Sequence, residues 1–297
     1  MTVSRPPGRS RAAAVASAIL AVVPLTAGCT ETPRPPGALA SALLALAADG
    51  GGDPQAIADS WAALGQVVER AVQHQRRTQG DPVADLAAVV FDQQGFTREI
   101  ADDDPRLFLL PSVISSRRGT CLGLSALVLA LGERMGLALD GILLPGHFFV
   151  RTREPVPRNV ELLRRGEVMP DSWYRGKYGP WPPTAGDGAT PSSYFRPVTI
   201  SELVGVHWYN VGNYHRRVGQ LATAERDYER AAAAFPTLAE AQASLGSLRQ
   251  LRGALADADT SYREAARLRP DLPGLDRNRM LLDQERRSDG AAAEEAR

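Results

Sequence analysis

Two stretches of the sequence decide the fold, Ser116-Arg-Arg-Gly-Thr-Cys-Leu-Gly-Leu-Ser125 and Leu144-Pro-Gly-His-Phe-Phe-Val-Arg151. In the first, turn residues precede a strongly periodic apolar run, which predicts a helix from Cys121 to Met135. Gly136 follows as the kind of glycine that commonly ends a helix. In the second, a Pro-Gly pair separates two apolar segments and predicts two strands joined by a turn. The centre of the chain is therefore expected to hold one helix and two strands.

The regions that flank this centre differ from it. Apolar residues recur at helical spacing from residue 38 to about residue 104, which predicts helices there. Downstream, residues 159–163 form another strand-like run, and residues 176–198 are rich in Gly, Pro, Ser and aromatic side chains. Structureless segments of that length are commonly functional loops or linkers. We therefore expect a first domain over residues 38–175 and a linker after it.

A repeat follows the linker. Seven of eight marked positions keep their size and chemistry after a shift of 34 residues, the exception being Trp to Gln; the first set is Trp208, Val211, Gly212, Gly219, Ala224, Tyr228, Ala231 and Pro236. The pattern resembles two tetratricopeptide repeats over residues 199–271, followed over residues 272–297 by a capping helix to about Glu285 and a disordered tail. An ordinary pair of helical hairpins is the alternative. The resemblance implies a groove for a protein or peptide partner, and so short an array is expected to pack on the preceding domain.

The N-terminus has the features of a secretory signal. Arg5, Arg9 and Arg11 precede or border an uncharged apolar run over residues 12–25, which is too short to span a bilayer. The Leu-Thr-Ala-Gly sequence before Cys29 resembles the lipobox of bacterial lipoproteins, with Thr where Leu is usual. A soluble secretory signal and a short uncut anchor are the alternatives.

The lipobox resemblance implies a signal peptide over residues 1–28, lipid attachment at Cys29 and a Pro-rich tether over residues 29–37. The expected location is the cell envelope, outside the cytoplasm, with the protein held to a membrane by its lipid. Since the sequence has two cysteines, lipidation at Cys29 would leave Cys121 as the single thiol of the processed chain.

Cys121 is either a buried, inert residue or a reactive thiol. It lies at the predicted helix start, directly after two arginines, a glycine and a threonine. A helix N-terminus and nearby guanidinium groups both stabilise a thiolate. Cys121 also lies beside the apolar face of the helix, where a small buried hydrophobe would fit. The helix by itself leaves both interpretations open.

His147 favours the reactive interpretation. It begins an apolar strand, where a polar side chain needs a partner or a function. A strand histidine that follows a helix-start cysteine suits a couple in which the imidazole takes the thiol proton. Of the other histidines, we expect His74 to be solvated, and His207 and His215 to be structural or groove residues of the first repeat.

The segments around Cys121 and His147 resemble the bacterial transglutaminase-like family, over about residues 85–170, and the repeats resemble its branch with C-terminal tetratricopeptide repeats. This resemblance implies a helix-rich, papain-like α+β fold with a nucleophilic cysteine at a helix start and a histidine and an acid on neighbouring strands. Cys121 and His147 match the first two positions. Glu161 stands at the third, where the family usually has Asp. Asn159 is the alternative, because residues two apart in a strand share a face.

Charge and ligand patterns argue against several other classes of function. Lys plus Arg number 34 and Asp plus Glu number 34, so no basic face for nucleic acid is expected. One available thiol and scattered histidines give no metal-ligand pattern, and we expect no cofactor. We interpret the acidic run at residues 102–104 as a solvated turn. Five aromatic residues in and around residues 176–198 either line a substrate-facing rim or anchor this loop to the core. They are Trp173, Tyr174, Tyr178, Trp181 and Tyr194.

Two hypotheses of function remain. The first is a cysteine-dependent amide hydrolase or acyl transferase that acts on peptides or proteins of the envelope, with Cys121 as the nucleophile, His147 as the base, and Glu161 or Asn159 as the residue that orients the imidazole. The second is a non-catalytic binding or assembly lipoprotein that uses its repeats to hold a partner. The Cys–His pair favours the first hypothesis, because a scaffold has no need of a lone thiol.

Overall fold

The computed structural model describes five segments of the chain, residues 37–50, 52–100, 104–153, 156–179 and 193–295, with side chains described up to residue 288. The expected signal peptide, Cys29 and the tether up to residue 36 lie outside these residues. All the described residues belong to one compact unit, Pro35–Arg297.

In the described part of the chain, five α-helices precede the main sheet: α1 (Ala38–Asp49), α2 (Pro54–Thr78), α3 (Pro82–Ala88), α4 (Leu110–Ser116) and α5 (Cys121–Met135). Local signals set their ends. Asp53 and Asp81 accept backbone N–H groups at the starts of α2 and α3, and a proline follows each cap. The bounds predicted for α5 are confirmed, because Thr120 caps its start and Gly136 adopts a left-handed conformation at its end.

The expected all-helical region up to residue 104 also contains a short strand. This strand, β1 (Thr97–Arg98), pairs in parallel with β2 (Arg118–Gly119), directly before α5. A strand of two residues has no detectable alternation, so its existence depends on its partner. The pairing places Arg98 opposite Gly119, two residues before Cys121.

The main sheet has five antiparallel strands in the order β6-β5-β4-β3-β7. Their bounds are β3 (Leu139–Leu144), β4 (His147–Thr152), β5 (Asn159–Glu161), β6 (Glu167–Met169) and β7 (Pro197–Val198). The predicted Pro-Gly turn joins β3 to β4, where Leu144 pairs with His147 and Gly146 has a φ of 66°. The sheet and the surrounding helices form the expected helix-rich α+β fold.

The expected linker over residues 176–198 is interrupted at both ends. Helix α6 (Asp171–Lys177) extends into its start, and β7 forms its end. β7 pairs with β3 at the edge of the sheet, a position that tolerates Pro197 because proline lacks a donor for a further strand. Residues 180–192 lie outside the described part of the chain.

One hydrophobic core connects the sheet domain to the first helices of the C-terminal region. Eight of the side chains of α5 between Leu122 and Leu131 are buried in it. The same cluster includes Val206 of α7 (Ile200–Arg217). It also includes Phe235, which directly follows α8 (Leu221–Ala234). The first hairpin of the C-terminal region, α7 with α8, therefore shares the core of the sheet domain.

The C-terminal region contains two similar helical hairpins, α7–α8 and α9 (Ala239–Leu251) with α10 (Leu255–Leu268). Small residues allow close packing within each hairpin. A Cβ atom at Gly212 would lie 2.7 Å from the ring of Tyr228, and one at Gly246 would lie 2.6 Å from the ring of Tyr262. The 34-residue repeat of the sequence thus corresponds to the same contact in both hairpins.

The last helix is longer than expected. We predicted a capping helix to about Glu285 and then a disordered tail, but α11 runs over Leu275–Glu295. The added residues include three alanines and two glutamates, which are strong helix formers. Of the described helices, none has the length and apolar character needed to cross a membrane.

Candidate thiol active site

Cys121 is the first residue of α5 and is partly exposed. Thr120 fixes this helix start in two ways. Its backbone N–H donates to the carbonyl oxygen of Leu107 at 2.9 Å, and its hydroxyl accepts the N–H of Gly123 at 3.5 Å. These bonds hold the thiol at a defined point between the turn at residue 107 and the sheet.

Gly123 lets the start of α5 approach that turn. A Cβ atom on Gly123 would lie 2.3 Å from the carbonyl oxygen of Leu107 and 2.9 Å from the Cα of Phe108. No larger residue fits without moving the backbone. The glycine two residues after Cys121 is therefore required by packing.

His147 lies at the start of β4, buried beside Cys121 and Glu161. Its Nε2 atom is 2.7 Å from Oε2 of Glu161, and the two side chains are 2% and 1% exposed. The other oxygen of Glu161, Oε1, accepts the N–H of Leu163 at 3.0 Å. Since Nε2 is bound to Glu161, Nδ1 is the ring nitrogen available to Cys121.

The charges around His147 favour its protonated form. Burial alone lowers the pKa of the imidazole, but hydrogen bonds to Cys121 and Glu161, together with their negative charges, outweigh it and raise the pKa of His147 to about 9. The ring is therefore a positively charged imidazolium at neutral pH. A protonated imidazole beside a sulfur atom is the arrangement of an activated thiol.

Two backbone donors lie next to the thiol. The N–H groups of Cys121 and Leu122 point out of the first turn of α5, and neither bonds to any residue that the structure describes. Both N–H groups are therefore candidate donors to an oxyanion.

Asn159 does not join this group. Its Nδ2 donates to Asp171 at 2.7 Å and to the carbonyl of Met169 at 3.1 Å, and its Oδ1 accepts from Arg151 at 2.6 Å. The alternation of β5 allowed both Asn159 and Glu161 to face His147. Arg151 and Asp171 occupy the polar atoms of Asn159, so Glu161 is the residue that binds the imidazole.

The aromatic residues predicted around the following loop divide into three sets. Tyr174 of α6 and Tyr178, the residue directly after α6, lie at the site: Tyr174 stacks on Phe149 at 4.1 Å, and Tyr178 stacks on His147 at 4.2 Å. Trp173 packs edge-on against both tyrosines. Tyr194 lies elsewhere, bonded to Glu240 of α9 and to Arg269 directly after α10. Trp181 is outside the described residues.

Arg98 is a site residue that the sequence did not reveal. Its backbone pairs with Gly119 ahead of Cys121, and its Nη1 donates to the carbonyl of Leu163 at 2.8 Å, two residues after Glu161. One side chain thus connects the segment before the thiol to the turn after the acid. An exposed arginine in a strand of two residues gives no signal of this role in the sequence.

The other three histidines lie away from the thiol. His74 contacts Gln93 at 2.9 Å and is partly exposed, and His215 pairs with Asp227 at 2.5 Å. His207 is buried, and its burial lowers the pKa of the ring to about 4. Among the described residues there is no group of three or more His, Cys, Asp or Glu side chains able to hold a metal ion.

Comparison with protein families identifies the part of the chain that carries this site. Residues 57–180 match the model of the transglutaminase-like superfamily. The match contains α5 and β4–β5, and therefore Cys121, His147 and Glu161. Residues 57–180 accordingly form a transglutaminase-like domain. The comparison with curated proteins gave no match.

Among solved structures, the chain is similar to menin, in the crystal structure that reveals the binding site for the Mixed Lineage Leukemia (MLL) protein. The two sequences are 13% identical, the TM-score is 0.40, and the similarity covers 77% of this chain and 65% of the menin chain. This chain therefore spans about two thirds of the menin chain. At this TM-score the similarity supports no conclusion about activity or partners.

Proposed function

We propose that the protein is a cysteine-dependent acyl-transfer enzyme, an amide hydrolase or transacylase, that acts on peptides or proteins of the cell envelope. One observation carries the proposal: His147 bonds to Glu161 at 2.7 Å on one side and interacts with Cys121 on the other, inside a transglutaminase-like domain. A thiol, a base and an orienting acid in this order are the parts of a thiol acyl-transfer site.

In the first step, the sulfur of Cys121 attacks the carbonyl carbon of an amide, and its proton resides on His147. A C–S bond forms, and the carbonyl electrons move onto oxygen. The N–H groups of Cys121 and Leu122 are the candidate donors to this oxyanion. Because Cys121 lies at the N-terminus of α5, the positive end of the helix dipole also faces the negative charge that develops on this oxygen.

In the second step, the imidazolium of His147 gives its proton to the amide nitrogen as the C–N bond breaks, which leaves a thioester on Cys121. Water or an amine then attacks the thioester, and His147 takes the proton of that nucleophile. Water gives hydrolysis and an amine gives transfer. Glu161 holds the ring in one orientation and balances its charge throughout.

Thiol reactivity tests the proposal. We expect iodoacetamide to alkylate Cys121 at pH 7 at least tenfold faster than it alkylates a free cysteine peptide, and a His147→Ala variant to lose this advantage. Equal rates in wild type and His147→Ala would contradict the proposal. Substrates can then be captured as thioesters from envelope fractions, with Cys121→Ala as the matched control.

The location and the partner sites belong to the same proposal. The lipobox-like sequence before Cys29 supports a lipid anchor on an envelope membrane. The 34-residue repeat and the equivalent Gly–Tyr contacts support an interpretation of α7–α10 as two tetratricopeptide repeats that hold a peptide or protein partner. A Cys29→Ser variant is expected to leave the membrane fraction and to lose incorporation of labelled fatty acid.

A further inference from the structure

Tyr178 lies flat on the imidazole of His147. The ring centroids are 4.2 Å apart and the ring planes differ by 1°. The next rings among the described residues, those of Tyr174 and Phe149, lie 6.1 and 6.5 Å from His147. Tyr178 is therefore the one ring of the described site in direct face contact with the base.

The position of Tyr178 also makes it a cover. The residue is partly exposed, whereas the His147 side chain beneath it is 2% exposed. The cover and the π face change the pKa of the imidazole in opposite directions. Exclusion of water disfavours the charged ring, while the negative face of an aromatic ring attracts a cation.

The titratable groups that face His147 are Cys121 of α5, Glu161 of β5, Tyr174 of α6 and Tyr178 directly after α6. The first two contribute negative charge. Burial, with the charge of Glu161, raises the pKa of Tyr174 and of Tyr178 above the ordinary value, so both phenols stay neutral at neutral pH. Tyr178 can therefore act on the imidazole only through its ring face and its cover.

We propose that Tyr178 is a positioning residue of the thiol site, whose ring face stabilises the imidazolium of His147 and so maintains the charge-separated Cys121–His147 pair. This inference rests on the proposed function, in which the proton of the thiol resides on His147. Tyr178 makes no contact with the reacting atoms in this role. It acts through the imidazole alone.

The test measures the titration of the His147 ring by NMR in a Cys121→Ala background, where no thiol contributes. We expect Tyr178→Leu to lower the pKa of His147 by about one unit, because leucine keeps an apolar cover and removes the π face. Tyr178→Phe keeps the face and should leave the pKa unchanged. Tyr178→Trp, which presents a larger π face, should maintain or raise it.

The pKa of His147 in Tyr178→Leu separates the two roles of the ring. Because leucine keeps the cover, a ring that only excludes water predicts no lowering of this pKa, so an unchanged or raised pKa in Tyr178→Leu would overturn the inference. If Tyr178→Leu fails to fold by circular dichroism, the Phe and Trp variants decide, and a lower pKa in Trp than in Phe overturns the inference. Slow alkylation of wild-type Cys121 together with the expected NMR shifts would overturn the proposed function and leave the stacking role supported.

Discussion

At the scale of single residues, Glu161 is the side chain whose role the structure defines most sharply. Both of its oxygens are occupied, Oε2 by His147 and Oε1 by the N–H of Leu163, at 2.7 and 3.0 Å. A carboxylate held at both ends has one orientation, and so has the imidazole bound to it. Asn159, two residues earlier, is bound by Arg151 and Asp171 instead.

A Glu161→Gln variant tests this role. Glutamine keeps the shape of the side chain and removes the charge that helps to hold a proton on His147, so we expect the alkylation rate of Cys121 at pH 7 to fall at least tenfold. Glu167→Gln is the matched control, because Glu167 lies on the neighbouring strand β6, is exposed and pairs with Arg164. If Asn159→Ala slowed the alkylation of Cys121 more than Glu161→Gln does, the orienting role would belong to Asn159 and the assignment to Glu161 would be wrong.

The buried imidazole also predicts a dependence of stability on pH. The pKa of His147 is raised from 6.5 to about 9, so the folded state holds this proton more tightly than the unfolded chain does. The resulting contribution of His147 to the free energy of unfolding is fully present below about pH 6.5 and is lost as the pH rises through about 9. We expect the free energy of unfolding to fall by about 1–3 kcal/mol between pH 6.5 and 9. Urea titrations across this range measure the change.

The control for this dependence is His147→Gln, which cannot titrate. Its stability should be lower at pH 6.5 but flat over the same range. A wild-type curve that rises with pH would show that some other group dominates.

At the scale of secondary structure elements, the sequence predicts the elements that local signals stabilise, but not those that depend on pairing with a distant strand. Helix α5 was predictable because Thr120, the apolar periodicity and Gly136 are all local signals. β1 and β7 were not, because strands of two residues exist only through pairing with β2 and β3. The bond between Glu161 and His147 required the register of β4 against β5, which alternation alone leaves open.

The helical hairpins give an element-scale prediction. A Gly246→Ala change adds a methyl group 2.6 Å from the ring of Tyr262, so we expect a loss of about 1–3 kcal/mol, although alanine favours a helix by about 1 kcal/mol. Gly176→Ala in α6 is the control, because nothing lies within 4 Å of the added methyl. It should be neutral or stabilising by up to about 1 kcal/mol. Thermal denaturation of both variants checks the contrast.

At the scale of the whole molecule, the separation into domains that the composition suggested is absent from the packing. Residues 176–198 have the composition of a linker, yet Pro197 and Val198 complete the sheet, and Ser193 bonds to Thr237 beside α9. Composition reports the polarity of a segment but not the surfaces on which it packs. The sequence predicts that so short a helical array packs on the preceding domain, but it does not show which residues, such as Val206 and Phe235, join α5 in the shared core.

This shared core predicts cooperative unfolding. We expect chemical denaturation to show one transition, with the same midpoint by circular dichroism and by tryptophan fluorescence, because Trp61 and Trp208 contribute to the same hydrophobic cluster. A chain that ends after Val198 should fail to fold, since it exposes the apolar surface that α7 and α8 cover. Two separated transitions, or a folded truncated chain, would contradict the prediction.

The continuity of the core from α5 to Leu238 and Ala241, at the start of α9, has a consequence for selectivity. Helix α5, which begins at Cys121, and the first hairpin therefore pack in one cluster of described residues. A partner peptide held on those hairpins would reach the thiol over one fixed span, so the number of residues between its anchored end and the scissile bond would decide which bond is cut. The molecule would then select by distance, and residues next to that bond could vary freely.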